Sequence, residues 1–518
     1  MTFDTLRPLV LPLAVTAAAL VVLLADLALP PNSARRGKVL GGLTVALLSG
    51  VLVASFVVDT SGLAAHGAYV GNAWTTFFAR LFLVAGALGV LGAMEHLEAH
   101  APRRQGEYYT LLLFSIVGMM IVPGARDLLL LVVAFELMGI PLYILAAYAK
   151  TDAAKTRKVS DPARAFDAAE AAKAPHAPAA EAAIKLYLVG ATSTAITLFG
   201  LSLVVGMAGT TRLAGLFGAE TPAPITVVGM MLVLAGLSFK IGVVPFHMWV
   251  PDTYEGAPTP FVAFLSVAPK AGGIAALVVV FLLGTGGHPG HWTLAIAVLA
   301  AASMTIGNLL ALPQTDVRRL LGFSGVAQMG YVLLAIATGN AEGLSTAAFY
   351  LAAYVFSNMG AFLVLHAVAA DGGTHDLAGL AGLSRRSPFL GLSLLAFLLS
   401  LAGIPFMIGF WAKLFIFLAA YRAGLVGLVV LGSVLAVVGL FYYLQVARAA
   451  YMVEPTQAAA PRVGGALRAA ILICLLAAAG LGLWPAPLHE SASEAGASLS
   501  NSLSTGTPAP VSPGDDSQ

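Results

Sequence analysis

The chain has 518 residues, of which 59% are hydrophobic and only 10% are charged, with a net charge of +2. Soluble domains carry charge on roughly a quarter of their residues, so this composition excludes a mainly water-exposed protein. The charge balance offers no basic stripe of the kind that nucleic acids require. The single cysteine, Cys474, excludes a disulfide framework, a thiolate metal site and an iron–sulfur ligand set.

Apolar runs of about 20 residues recur along the whole chain, which is the length that a helix needs to cross the hydrocarbon core. They predict an all-α polytopic membrane protein of about fourteen transmembrane helices. The first run is too long for a signal peptide and has no clear cleavage site. The predicted spans are 8–30, 39–58, 74–94, 108–122, 126–148, 181–206, 224–250, 258–284, 292–312, 317–337, 342–370, 388–420, 424–450 and 466–485.

Two segments depart from the pattern of apolar runs. Residues 150–182 are rich in Ala, Lys, Asp and Pro, and we predict a cytoplasmic loop with some helix. Residues 486–518 are rich in Ser, Gly, Pro and acids, and we predict a disordered periplasmic tail. The remaining chain divides into three N-terminal spans in 1–100, spans four to eight in 101–285, spans nine to thirteen in 286–450, and the last span in 451–485.

Lysine and arginine are distributed unevenly between the two sides of the predicted membrane. Alternate loops hold 18 of the 27 basic residues, whereas the opposite loops and both termini hold four. Cytoplasmic loops keep the excess of Lys and Arg, so both termini are predicted to be periplasmic.

Five basic side chains remain inside the predicted spans, together with one prominent acid, Glu136. Each costs on the order of 3 kcal/mol at the bilayer centre, so such groups are functional by default. Glu136 is a candidate proton carrier, and the alternative is a structural anchor that pairs with a lysine. The five basic residues are Arg80, Lys185, Lys240, Lys270 and Lys413.

Three of these lysines accompany signals of helix interruption. Lys240 lies five residues before Pro245, and Lys413 lies eight residues after Pro405. Proline breaks the hydrogen-bond ladder, which is tolerated at membrane depth only inside protein or beside water. Lys270 follows a proline and precedes two glycines. Lysine releases its proton more readily when it is desolvated or when a neighbouring charge moves, so all three are predicted proton sites.

Other readings of the intramembrane charges stay open at this stage. Lys270 could extend to the membrane surface, and Lys413 could pair with an acid of another subunit. Lys185 stands one turn into its span, which suits either extension to the surface or a place in the proton path. His247 could relay protons or act as a structural donor. Arg80 is expected to anchor the end of its helix.

The two interrupted spans also resemble each other. VVPF at 243–246 and GIPF at 403–406 both follow a Gly-containing apolar run and have a lysine nearby. They are five spans apart, and an odd offset inverts the second copy relative to the first. This predicts two inverted repeats, each with one broken helix.

The stretch SFKIGVVPFHMWVPDTYEGAPTPFVAFLSVAPKAGG at 238–273 resembles the antiporter-like subunit N of bacterial complex I, the counterpart of mitochondrial subunit 2. FELMGIPLYILAAYAK at 135–150 and TDVRRLLGFSGVAQMGYVLL at 315–334 share the resemblance, which covers roughly residues 100–450. Subunit M has a glutamate in helix twelve, where this chain has Lys413, and subunit L has a lateral helix for which this chain is too short.

The resemblance implies a fold and a set of roles. The fold would be two inverted five-helix repeats, formed by spans four to eight and nine to thirteen. Glu136, Lys240, Lys270 and Lys413 would take up, pass on and release protons, with Lys185 in the entry path. Glu136 would hold Lys240 charged through an ion pair until the pair separates.

The resemblance also implies a setting for the chain. It would be one subunit of a NADH:quinone oxidoreductase in a bacterial inner membrane, in contact with lipid and with other membrane-arm subunits. The chain itself would carry no cofactor, while FMN, iron–sulfur clusters and quinone would belong to other subunits. The alternatives are a subunit of a multi-component Na⁺/H⁺ antiporter and a scaffold that does not pump.

Overall fold

A computed structural model describes residues 6–30, 36–148, 177–214, 216–217, 222–285, 291–370, 374–455 and 459–504. The predicted loop 150–182 lies outside these residues except for its last six, which are helical. Two short antiparallel strands, β1 (Gly62–Ala64) and β2 (Tyr69–Gly71), precede the third long helix. All other regular structure in the described residues is helical.

Ten α-helices lie in the first part of the described chain. Asn72 caps the third of them through a reciprocal bond with Thr75, which satisfies free amide groups at the helix start. The helices are α1 (Val10–Ala28), α2 (Arg36–Ala54), α3 (Ala73–His100), α4 (Gln105–Ile121), α5 (Leu128–Ala146), α6 (Ala177–Ala208), α7 (Pro224–Ile241), α8 (Trp249–Gly256), α9 (Thr259–Leu265) and α10 (Ala268–Val278).

The second part of the described chain continues in the same way. Two π-helical turns, Val279–Leu283 and Val355–Met359, extend α10 and join α13 to α14. The helices are α11 (His291–Ala311), α12 (Val317–Ile336), α13 (Ala341–Tyr354), α14 (Gly360–Ala369), α15 (Leu383–Arg386), α16 (Pro388–Ala402), α17 (Ile408–Arg422), α18 (Val426–Met452), α19 (Gly465–Leu483) and α20 (Ala486–Ser504).

The helices confirm the polytopic all-α membrane fold. Thirteen described segments are long and apolar enough to cross a membrane. The predicted twelfth span is divided between α16 and α17, each shorter than a full crossing. The segments Thr259–Leu283, Val317–Ile336 and Ala341–Ala369 are almost wholly buried in the protein and form its centre, whereas Arg36–Ala54 and Val426–Met452 lie at the periphery.

The interruptions of the predicted seventh and twelfth spans are built alike. Helix α7 is followed by Gly242, with φ of 75°, and α16 is followed by Gly403, with φ of 88°. In each case the next residue's N–H, at Val243 or Ile404, reaches back to a carbonyl five residues earlier. Glycine is favoured there because a side chain is strained in this left-handed conformation. Pro245 and Pro405 follow in the connecting segments.

The predicted eighth span is also interrupted. Helix α9 ends at Leu265, and α10 begins at Ala268 after two residues outside the α-helices. Lys270 is therefore in the first turn of α10, in the centre of the molecule.

The predicted disorder of the C-terminal tail is wrong for Ala486–Ser504, which form α20. Its buried face carries Ala492, Ala495 and Leu499 and packs against α13 and α3. A Cβ added at Gly496 would lie 2.2 Å from Ser345 Oγ, so the helices approach closely. Small residues therefore build a helix–helix contact, although their composition also suits disorder. Residues 505–518 lie outside the described part.

Candidate functional site

The first two ionisable groups of the site, Glu136 on α5 and Lys240 on α7, are not paired with each other. Glu136 Oε1 accepts a hydrogen bond from Thr194 Oγ1 of α6 at 2.7 Å. Lys240 Nζ donates to the Tyr143 hydroxyl at 2.8 Å. Among the described residues neither forms an ion pair within 4.0 Å, so the expected Glu136–Lys240 pair is absent from this structure. The physical reason is that Thr194 and Tyr143 take up the two charged ends separately.

Each of these groups borders its own recess. An apolar recess between α5, α6 and α7 has Glu136 and Thr194 in its wall. A second recess is lined by Lys240, Tyr143 and Trp249 among others. The Lys240 ammonium lies 5.0 Å from the ring centroids of both Phe135 and Tyr143. The aromatic rings compensate part of its charge where water is scarce.

Lys270 occupies the centre of the molecule and is fully buried. Its Nζ has no hydrogen-bond partner in the described part of the chain and lies 5.5 Å from the Tyr254 ring centroid. A Cβ added at Gly325 of α12 would meet both Lys270 Nζ, at 3.1 Å, and the Tyr354 hydroxyl, at 2.9 Å. The amine and this hydroxyl therefore converge on the space that Gly325 leaves open.

Lys413 is held by the end of the other broken helix. Its Nζ donates to the carbonyl oxygens of Leu401 and Ala402, each at 2.9 Å. These carbonyls belong to the last turn of α16, where backbone acceptors are free and the helix dipole is negative. The Tyr331 ring centroid lies 5.1 Å from the same ammonium.

A row of hydrogen bonds leads from Lys413 back toward Lys270. Gln328 Nε2 donates to the Leu401 carbonyl at 3.0 Å and to the Tyr443 hydroxyl at 2.9 Å. Tyr443 and the Ser324 hydroxyl are 2.5 Å apart. Ser324 adjoins Gly325 in the chain, where Lys270 and Tyr354 converge. We call Ser324, Gln328 and Tyr443 the hydroxyl–amide row.

The hydroxyl–amide row was missed at the sequence level. Ser324, Gln328 and Tyr331 recur at four- and three-residue intervals in GFSGVAQMGY, which places them on one face of α12. A polar stripe of this kind within an apolar span is the sequence pattern that could have indicated the row. Tyr443 lies on α18 and offered no comparable pattern.

Lys185 belongs to an ionic cluster at the end of α8. Its Nζ lies 2.9 Å from both Glu181 Oε1 and Asp252 Oδ2. Arg319 Nη1 of α12 lies 2.8 Å from Asp252 Oδ1 and 2.9 Å from Glu255 Oε2. Burial alone would raise the pKa of Asp252, but the hydrogen bonds and charges of Lys185 and Arg319 hold it below the ordinary value of 3.8. Asp252 is therefore charged at neutral pH.

The remaining candidates occupy distinct settings. His247 is buried in the segment that follows α7. Arg80 donates to the Ser55 hydroxyl and carbonyl at 3.1 and 2.7 Å and covers the Phe56 ring, in keeping with an anchoring role. His247 adjoins the broken helix, whereas Arg80 is separate from the row.

Comparison with known proteins gives consistent results. The profile of the family described as "NADH:quinone oxidoreductase/Mrp antiporter, TM" matches residues 172–439. NADH-quinone oxidoreductase subunit N of Moorella thermoacetica is 39% identical, over 92% of this chain and 95% of its own length. Subunit N of Heliobacterium modesticaldum is 38% identical, over 87% of this chain and 91% of its own length.

Solved structures agree with the fold. A chain of respiratory complex I from Thermus thermophilus with bound aureothin is 31% identical, with a TM-score of 0.75 over 93% of this chain and 98% of that one. A chain of the Mrp complex from a Dietzia species has a TM-score of 0.81 over 97% of this chain and 98% of that one, at 23% identity. The similarity to the Mrp chain concerns the fold alone.

The broken helices and the ionisable groups beside them define an antiporter-like membrane subunit. The chain belongs to the NADH:quinone oxidoreductase/Mrp antiporter family, and its curated relatives at 35–39% identity are NADH-quinone oxidoreductase N subunits.

Proposed function

We propose that this chain is the proton-translocating, antiporter-like N subunit in the membrane arm of a NADH:quinone oxidoreductase. It is a subunit of an oxidoreductase and proton translocase, and the relatives named above support that assignment. The roles of individual residues are assigned from one observation: ionisable side chains lie at three helix interruptions. Such groups are costly in a membrane and mark proton relays.

The proposed path begins at Glu136 and Lys240. Lys240 keeps its proton while the two form an ion pair and passes the proton on when the pair separates. Lys270 then receives the proton. Its amine is buried, and buried polar atoms normally form hydrogen bonds to protein or to water. The hydroxyl–amide row then leads to Lys413. Lys185 and His247 are proposed members of the entry side, because each lies beside the segments that follow the broken α7.

The competing assignment is a subunit of a multi-component Na⁺/H⁺ antiporter. The fold does not separate the two classes, since the Dietzia Mrp chain superimposes as well as the complex I chain. Sequence does separate them, because identity reaches 39% with N subunits and 23% with the Mrp chain. We therefore favour the oxidoreductase.

The setting of the chain follows from the same proposal. It works in a multi-subunit membrane complex of the bacterial inner membrane, beside other antiporter-like and small membrane-arm subunits and lipid. FMN, iron–sulfur clusters and quinone belong to other subunits, whose electron transfer perturbs the Glu136–Lys240 pair. The excess of basic residues in alternate loops supports periplasmic termini.

The test is NADH-driven proton pumping by the purified complex in proteoliposomes. Glu136→Gln and Lys240→Ala are each expected to lower pumping by at least about tenfold, because each removes a group that transfers protons. Glu98→Gln, which neutralises an exposed carboxylate at the end of α3, is the control and should pump normally. Full pumping by both site variants in correctly assembled complexes would rule out the assigned roles.

A further inference from the structure

Lys240 rests in a notch on α5 between two alternative partners. Glu136, Gly139 and Tyr143 lie three and four residues apart, so they follow one another along one face of the helix. A Cβ added at Gly139 would lie 2.4 Å from Lys240 Nζ. The ammonium therefore touches α5 at a position that only glycine leaves open. Glu136 lies about one turn to one side of this notch and Tyr143 about one turn to the other.

Helix α6 contacts both Glu136 and Tyr143. Thr194 donates to Glu136 at 2.7 Å. One turn earlier, a Cβ added at Gly190 would lie 2.1 Å from the Tyr143 hydroxyl, so glycine makes room for that hydroxyl. The structure thus gives each member of the separated pair its own partner, Thr194 for the carboxylate and Tyr143 for the ammonium.

The two partners of Lys240 differ in chemistry. An ionised carboxylate only accepts hydrogen bonds, and its charge favours the ammonium form of the lysine. A phenol both donates and accepts, so it can accept from the ammonium and donate to the neutral amine. On Tyr143 the lysine can therefore lose its proton without leaving a buried polar group unpaired.

We infer that Tyr143 is a positioning residue that holds Lys240 in the separated, proton-releasing state of the site. The inference rests on the proposed function and adds to it a partner that alternates with Glu136. In the release step an N–H bond of the ammonium breaks and the proton passes to water in the recess beside Lys240. The nitrogen keeps the electron pair and accepts the hydrogen bond that the Tyr143 hydroxyl now donates. Gly139 and Gly190 provide the space for this exchange.

The test compares Tyr143→Phe with the unsubstituted complex in proteoliposomes across a range of pH. The substitution keeps the ring but removes the hydroxyl, so Lys240 returns to Glu136, whose charge favours the ammonium form of the lysine. The pH optimum of NADH-driven pumping should rise by about one unit, and pumping at neutral pH should fall by about tenfold. Tyr187→Phe is the matched control, because that ring contacts the Tyr143 ring at 5.9 Å and is more than half exposed. It should leave the profile unchanged.

Two further variants make the result decisive. Gly190→Ala keeps the phenol but displaces its hydroxyl, so it should produce the same rise in the pH optimum. Combining Tyr143→Phe with Glu136→Asp should move the optimum back down, because the shorter carboxylate holds the lysine less tightly. A rise in both Tyr143→Phe and Gly190→Ala, with reversal in the double variant, supports the inference.

The inference and the proposed function fail in different ways. If Tyr143→Phe pumps with an unshifted pH optimum while Glu136→Gln and Lys240→Ala do not pump, the role of Tyr143 is overturned and the proposed function stands. Lower pumping without a shift also overturns it, because a purely structural defect has that signature. Normal pumping by all three variants would overturn the proposed function itself.

Discussion

Lys270 and Lys413 are both buried lysines, but the protein holds them differently. Lys413 has two carbonyl acceptors at the end of α16, whereas Lys270 has no hydrogen-bond partner among the described residues. A buried charge without a partner destabilises a protein, and its replacement by an apolar side chain of similar volume is often stabilising. Lys270 is thus retained at a cost in stability, as expected for a group kept for its chemistry.

Lys270→Met gives a prediction with opposite signs for stability and function. The thermal inactivation midpoint of the complex should stay the same or rise, by the equivalent of up to about 3 kcal/mol, while proton pumping is lost. Lys185→Met is the comparison, because Lys185 has two acidic partners and its loss should lower the midpoint. A lower midpoint in Lys270→Met would show that the amine serves packing instead.

The hydroxyl–amide row yields a second prediction from two tyrosines of α18. Tyr443→Phe removes the hydroxyl that joins Ser324 to Gln328 and should lower pumping by about tenfold. Tyr451→Phe is the matched control, since Tyr451 lies about two turns further along α18 and is partly exposed. Pumping and NADH oxidation are measured together. Equal effects of the two substitutions would argue against a path through Tyr443.

At the level of elements, the C-terminal helix is a packed part of the molecule. The small residues of α20 let it lie against α13 and α3, and the His489 ring packs on Phe415 with centroids 4.6 Å apart. Phe415 belongs to α17, the helix that carries Lys413. Helix α20 therefore supports the second broken span from outside.

Gly496→Leu tests this support. The added side chain would collide with Ser345 and the Ala341 carbonyl and push α20 away. We expect a loss of about 1–3 kcal/mol, seen as a lower thermal midpoint of the complex. Ala497→Leu, at the neighbouring exposed position, should be close to neutral. A neutral effect of Gly496→Leu would mean that α20 contributes little to stability.

At the scale of the whole molecule, Asp252 links both halves of the chain. Through Lys185 and Arg319 it joins α6, α8 and α12, and so fixes the segment that follows the first broken helix. Its two charge-assisted bonds are stronger than ordinary hydrogen bonds. The short helix α8 is thereby held from two sides.

Asp252→Asn should lower the thermal midpoint by about 2–4 °C at neutral pH. The pKa of Asp252 is lower in the folded chain than its ordinary value of 3.8, so its contribution is present above that value and is lost as pH falls through the folded pKa. The gap between variant and unsubstituted complex should therefore be constant from pH 8 to about 5 and narrow below about 4. Glu255→Gln, which affects one bond only, should have a smaller effect. A gap that widens in acid would contradict this account.

Local chemistry in the sequence was sufficient for much of this description. Charge-free runs require a bilayer, because they cannot be solvated by water. Proline removes a backbone donor and clashes with the preceding turn, which is why interruptions near Pro245 and Pro405 were predictable, although α5 accommodates Pro141 without a break. The positions of Glu136, Lys240, Lys270 and Lys413 within spans were evident for the same reason.

Only the tertiary structure decided which groups meet. Whether Lys240 bonds to Glu136 or to Tyr143 depends on the space left by Gly139 and Gly190, which lie on different helices. The hydroxyl–amide row joins α12 to α18, and small residues such as Gly496 become a packing face only when another helix lies against them. A sequence specifies the preferences of neighbouring residues directly, whereas contacts between distant segments depend on how the helices assemble.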